Sequence, residues 1–188
     1  MKLALFGGTF DPIHAAHLTV AREAADRFAL DRVLFIPNAH PPHKGGTVTA
    51  DYEDRVRMAE LACQEDPRFH VSKLEAGTRK SYSILTIEKV RQTLDVGDEL
   101  FFLIGSDAFA ELRSWYRWRD VIAEVEFIVV TRPGHQYTTP PEARVLRLET
   151  LALPVSSSDI RAALARGETP RELPAAVAAY IRERGLYR

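Results

Sequence analysis

Cysteine is almost missing from this chain: Cys63 stands alone among 188 residues. One thiol excludes an internal disulfide and a multi-cysteine metal site. Cys63 follows Leu61 and Ala62 in a helical pattern, which predicts a small buried residue. Long hydrophobic runs are absent too, and nothing approaches the roughly 20 apolar residues that span a bilayer. Neither sign of charge is in excess, since 25 Lys and Arg meet 26 Asp and Glu for a net charge of −1. Without a basic field, nucleic acid as a main partner has no support. Strand-type residues follow Met1-Lys2 directly, with no apolar signal core. The expectation is a soluble cytoplasmic protein with no membrane partner.

What is present is a globular composition, with 46% hydrophobic and 27% charged residues, and not a disordered one. The length fits one domain, 1–188, with a core large enough to fold alone. Residues from about 154 onward change character and read as a C-terminal helical part.

Strand-like and helix-like runs alternate. Residues 2–6, 32–36, 69–74, 99–104 and 125–130 read as strands, several of them almost continuously apolar. Helical patterns lie near 14–29, 51–64 and 83–94, with a short one after Ser106. Ala162–Arg166 and a final helix from Pro174 to about Arg184 follow. This alternation predicts a Rossmann-like α/β fold, an open parallel sheet with helices on both faces. Ligands of such sheets sit beyond the carboxyl ends of the strands. Three loops there have unusual composition: Gly7–Pro12, Pro37–Gly46 and Gly105-Ser106-Asp107. The second is too rich in helix and strand breakers for regular structure.

Two constellations carry chemistry. The first is Gly7-Gly8-Thr9-Phe10-Asp11-Pro12-Ile13-His14-Ala15-Ala16-His17, a strand running into paired glycines and then a helix. That geometry presents free backbone N–H groups to a phosphate, and histidines three apart share a helix face. The plainer reading is a tight turn with two polar surface histidines. The G-x-G-x-x-G spacing is absent, which disfavours a dehydrogenase. His40 and His43 repeat the spacing of His14 and His17 and keep a zinc site open as an alternative.

The second constellation is Ser156-Ser157-Ser158-Asp159-Ile160-Arg161. Consecutive serines make a good helix N-cap, which accounts for one of them. Hydroxyls, helix N–H groups and a guanidinium one turn in also make an anion site. Two anion sites in one small α/β protein point to a substrate with several phosphates.

Here a resemblance becomes specific. GGTFDPIHAAHL is similar to the HxGH signature of the nucleotidyltransferase superfamily, and SSSDIR to its partner motif ISSTxxR. Pro41-Pro42-His43-Lys44, Ser81-Tyr82-Ser83, Gly105-Ser106-Asp107, Trp115-Tyr116, Arg132-Pro133-Gly134 and the ending Gly185-Leu186-Tyr187-Arg188 narrow it. Together they resemble the bacterial nicotinate mononucleotide adenylyltransferases across essentially the whole chain. Ala16 stands where that family usually has glycine, and Ser83 where threonine is frequent. Val155 and Ser158 replace isoleucine and threonine.

The resemblance implies transfer of AMP from ATP to nicotinate mononucleotide, a reaction carried by positioning and charge neutralisation. It implies that His14, His17, Lys44 and Arg161 act on the phosphates, with His17 foremost at the α-phosphate. Gly7, Gly8, Thr9, Phe10, Gly105, Asp107, Arg132, Ser156 and Ser157 would complete the ATP site. Thr9, Lys44, Tyr82, Ser83, Asp107, Trp115 and Tyr116 would hold the nicotinate nucleotide, with the aromatics offering a flat face to the pyridine ring. Trp118 is read with that aromatic cluster. Mg²⁺ is implied on the triphosphate, held by phosphate oxygens and water, with no protein ligand assigned. Nicotinamide mononucleotide or phosphopantetheine as acceptor, a non-catalytic nucleotide sensor and a hydrolytic zinc enzyme are the alternatives. Glu53, Asp54, Arg55, Arg57 and Arg182-Glu183-Arg184 are expected to be solvated helix faces.

Overall fold

Alternate residues of the first strand face opposite ways, and the whole architecture follows from that. In β1 (Lys2–Gly8), Ala4 packs into one apolar cluster while Leu3 and Leu5 pack into another. A strand buried on both sides belongs to the middle of a covered parallel sheet. The computed structural model describes residues 1–40, 49–78, 80–151 and 155–188. Five further strands join β1: β2 (Arg32–Pro37), β3 (Phe69–Val71), β4 (Glu99–Gly105), β5 (Glu126–Thr131) and β6 (Val145–Glu149). All neighbours are parallel, in the order β3-β2-β1-β4-β5-β6.

Among the described residues seven helices cover this sheet. On one face lie α1 (Ala15–Phe28), α2 (Tyr52–Cys63), α6 (Ser157–Ala165) and α7 (Ala175–Arg184), burying Ala21, Met58, Ile160 and Val177. On the other lie α3 (Ser83–Arg91), α4 (Ser106–Ala110) and α5 (Trp118–Glu124), burying Ile87, Phe109 and Val121. Cys63 is buried, and desolvation pushes its thiol up to about 12, so it stays protonated and inert. No helix among the described residues is long and apolar enough to cross a membrane.

The chain runs outward from β1 to β3 and returns to β4, on the other side of β1. Strand order therefore reverses between β1 and β4, and the loops leaving those two strands border one crevice. Two of the loops singled out in the sequence, Gly7–Pro12 and Gly105-Ser106-Asp107, leave from this edge.

Several elements differ from the sequence expectation. Strand β6 and helix α5 are additional, the third strand stops at Val71, and α3 stops at Arg91. β6 reads Val-Leu-Arg-Leu-Glu and lies at the sheet edge, so it lacks the apolar run of a central strand. Helix α6 already begins at Ser157, capped by Ser156.

Asp54 and Arg55 are not solvated. Asp54 is buried, accepting from Tyr180 Oη at 2.6 Å and Arg184 Nε at 3.1 Å. Arg55 is 1% exposed. Its spacing to Met58, Ala59 and Ala62 places it on the buried stripe of α2, whereas Arg57 faces out.

Candidate active site

The bend after β1 is shaped by one close approach. A Cβ on Gly8 would sit 2.8 Å from the Phe10 ring, so only glycine lets that ring fold back beneath the loop. Phe10 itself has φ of 51° and packs among Phe6, Phe35 and His17. Its ring is therefore core, and what Phe10 presents to a ligand is backbone.

Asp11, next in line, is 3% exposed and fully engaged. Its carboxylate accepts from Thr49 N at 2.8 Å, Ala50 N at 3.0 Å and Tyr187 Oη at 2.6 Å. Burial raises the Tyr187 pKa, keeping its hydroxyl a donor to that carboxylate. The partners of Asp11 come from distant segments, and its local sequence gives no sign of them.

His14 is the N-cap residue of α1, and His17 stands three residues on. The His14 backbone N–H donates to His17 Nδ1 at 3.2 Å, which places the ring proton of His17 on Nε2. Their ring centroids are 3.8 Å apart. His14 is only 4% exposed, and desolvation lowers its pKa to about 4, against a weak opposing pull from Glu172. It is thus a neutral imidazole at pH 7, and not the surface residue of the plainer reading. Its buried Nδ1 has no hydrogen-bond partner among the described residues.

The serine segment meets this bend directly. Ser157 Oγ donates to the Pro12 carbonyl at 3.0 Å, and Arg161 Nη1 to the Asp11 carbonyl at 2.8 Å. Arg161 Nη2 also reaches Ser158 Oγ at 3.2 Å. Ser156 is occupied as the cap, accepting from Asp159 N at 3.1 Å and donating to Asp159 Oδ2 at 2.7 Å. A cavity of about 640 Å³ opens between the two segments, lined by Gly8, Thr9, His14, His17, Ser156, Ser157, Ser158 and Arg161. N–H groups, hydroxyls, two adjacent imidazoles and a guanidinium suit a polyphosphate.

A second cavity of about 500 Å³ shares Phe6, Gly8 and Thr9 with the first. Gly7, Tyr82, Ser83, Gly105, Asp107, Trp115 and Tyr116 line it, together with Asn38, Ser81 and Glu111. Tyr116 is 52% exposed and stacks on Tyr82 with centroids 4.6 Å apart. Trp115 stands edge-on to Phe102 at 5.9 Å. Ser83 opens α3, after its N-cap Tyr82.

Not every expected residue converges. Trp118 lines neither cavity and lies instead between Arg113 and Arg119, at 5.9 and 4.5 Å. Arg132 is exposed and lines neither cavity. Lys44 and His43 lie outside the described residues. His40 is tied to Ser81 through its backbone, at 3.0 and 3.2 Å. Among the described residues no three His, Cys, Asp or Glu side chains converge as metal ligands.

Switch-point cavities that pair a polyphosphate site with an aromatic pocket define a nucleotide-transferring α/β protein, and a cytidylyltransferase-like family model matches residues 5–163. Over its full length the chain is 65% identical to a Solibacter usitatus protein named "Probable nicotinate-nucleotide adenylyltransferase", covering 100% of both. A Thermus thermophilus protein of the same name is 42% identical, again over 100% of both chains. The chain belongs to the nicotinate-nucleotide adenylyltransferase family. In fold it is similar to Plasmodium falciparum nicotinic acid mononucleotide adenylyltransferase complexed with NaAD, with TM-score 0.78 and 18% identity, covering 99% of this chain and 97% of that one.

Proposed function

We propose that this chain, as a single domain, transfers AMP from ATP to nicotinate mononucleotide, giving nicotinate adenine dinucleotide and pyrophosphate for NAD biosynthesis in the cytoplasm. The observation that carries this reading is the sharing of Gly8 and Thr9 by two cavities of different chemistry. Polyphosphate on one side and a pyridine nucleotide on the other would bring an attacking phosphate oxygen to the α-phosphorus along that shared wall.

The acceptor phosphate forms the new P–O bond as the bond from the α-phosphorus to the bridging oxygen breaks. No covalent enzyme intermediate is needed. His17 Nε2–H and neutral His14 donate hydrogen bonds to the phosphates as charge shifts from nucleophile to leaving group. Arg161 and Ser157 hold the β- and γ-phosphates that depart. Lys44 adds a cation to this set. Gly105 and Asp107 serve a ribose, and Ser83, Tyr82, Trp115 and Tyr116 the nicotinate portion.

The Asp11 carboxylate is saturated by two amides and a phenol, so the pocket offers the metal no free acidic side chain at the bend. This donor set fits Mg²⁺ that arrives on ATP and keeps its waters. The ion then offsets charge on the triphosphate.

Pyrophosphate release with ATP, Mg²⁺ and each candidate acceptor tests the reading. Turnover is expected with nicotinate mononucleotide. Turnover confined to nicotinamide mononucleotide or phosphopantetheine would reject the acceptor, and binding of ATP without any turnover would leave a sensor.

A further inference from the structure

Helix α2 buries two charged side chains, Asp54 against Tyr180 and Arg184 of α7 and Arg55 toward the ends of β1 and β2, and neither cavity includes Arg55. Arg55 Nη1 donates to the Thr9 carbonyl at 2.7 Å and to the Asn38 carbonyl at 2.8 Å. Its Nε reaches the Ala50 carbonyl at 3.3 Å. No carboxylate makes an ion pair with it among the described residues; its hydrogen-bond partners are main-chain oxygens from three separate segments. Burying a guanidinium is costly, and a fully apolar residue would fill the same space without that cost. Hydrogen bonding through main-chain carbonyls alone, with Asp11 and Asp51 offsetting its charge only through space, therefore marks a side chain whose geometry matters.

The two carbonyls are not arbitrary. Thr9 walls both cavities, and Asn38 walls the acceptor cavity. The strands behind them are already paired, with Asn38 N–H donating to the Gly8 carbonyl at 2.9 Å. Beyond that bond the β1–β2 ladder ends, and Arg55 takes over where a ladder bond would have continued. The Thr9–Phe10 peptide is trans, so its C=O and N–H point in opposite directions. Pulling the Thr9 oxygen back onto Arg55 aims the Phe10 N–H the other way, and Phe10 lines the polyphosphate cavity. That N–H donates to no acceptor among the described residues.

We propose that Arg55 is a positioning residue for the transfer step, fixing the offset between donor and acceptor cavities by holding the Thr9 and Asn38 carbonyls on one nitrogen. The proposal rests on the transfer reading above. In-line displacement depends on that offset, since a misplacement of about 1 Å costs on the order of 10²-fold in rate. Substrate affinity depends on it less, because each cavity keeps its own lining.

Steady-state kinetics of Arg55→Lys and Arg55→Met, with circular dichroism and thermal melts, test this. Expected are kcat losses of about 10-fold for Lys, whose ammonium ends one bond short of Nη1 and leaves the Ala50 carbonyl without its Nε donor, and about 100-fold for Met, with both KM values within about threefold. Methylguanidine added to Arg55→Ala should restore kcat in part, a response that a purely structural residue would show only in the melt. Wild-type kcat in a folded variant, KM losses at unchanged kcat, or loss of fold in every variant including Lys would each overturn the proposal. Failure of the functional reading looks different, as wild-type enzyme silent with nicotinate mononucleotide. The variants are then read with whichever acceptor does support pyrophosphate release.

Discussion

Arg161 and Asp11 stand 150 positions apart in sequence, yet a 2.8 Å hydrogen bond joins the Arg161 Nη1 to the Asp11 carbonyl. That bond and the one from Nη2 to Ser158 Oγ orient the guanidinium toward the segment before α1 and leave its other three donors for a ligand. Arg161→Ala should lower kcat/KM for ATP about 100-fold, as for loss of a charge-assisted, forked contact to phosphate. Arg161→Lys should recover less than about a tenth of the lost activity, because a point charge cannot reach Asp11 and a phosphate together. Kinetics at varied ATP decide it, and full recovery with Lys would reduce the role to charge alone.

His17 should matter most in the transition state. Its Nδ1 is tied to the His14 amide, so Nε2–H is a donor of fixed direction. His17→Ala is expected to lower kcat by about 100-fold or more while KM for ATP changes little. A near-normal kcat would remove His17 from the reaction.

His14 sets a pH dependence of stability. Burial holds its folded-state pKa at about 4, whereas the unfolded chain titrates near the ordinary 6.5. Between these values the unfolded state binds a proton that the folded state refuses, so stability rises with pH across that window and is lost as pH falls. The full effect is on the order of 3 kcal/mol from this one residue. Denaturant melts between pH 4 and pH 6.5 should show the slope in wild type and a shallower one in His14→Gln. Equal slopes would show that other groups govern acid unfolding.

Trp115 packs edge-on against Phe102 and turns the rest of its surface to the acceptor cavity. Trp115→Ala should raise KM for nicotinate mononucleotide about tenfold, the scale of a lost aromatic contact plus buried area, and leave KM for ATP nearly unchanged. Equal losses for both substrates would mean that the pocket had collapsed generally.

Sequence alone was enough for the alternation of strands and helices and for the two segments that meet at the polyphosphate cavity. The near-continuous apolar runs of β1, β4 and β5 are strong signals, since a central parallel strand must be apolar on both faces. Strand β6 carries a charged residue in its middle, as an edge strand can, and its signal is correspondingly faint. Arg55 and Asp54 were hidden for another reason. They sit in a charged stretch, and only the spacing of Arg55 to Met58 and Ala62 marks the inward face. Asp11 is less legible still, since three of its partners come from Thr49, Ala50 and Tyr187, and no local pattern encodes such contacts. Trp118 shows the converse failure: proximity in sequence to Trp115 grouped it with the pocket, while the αL turn at Arg117 sends it elsewhere. Asn38 and Glu111 reach the acceptor cavity from loop and turn positions with no periodicity to flag them.

Because Gly8 and Thr9 line both hollows, one tethered inhibitor could occupy the two at once. Anchoring either end would hold the other at millimolar effective concentration, so two weak fragments joined by a short linker would gain far more than their separate affinities suggest.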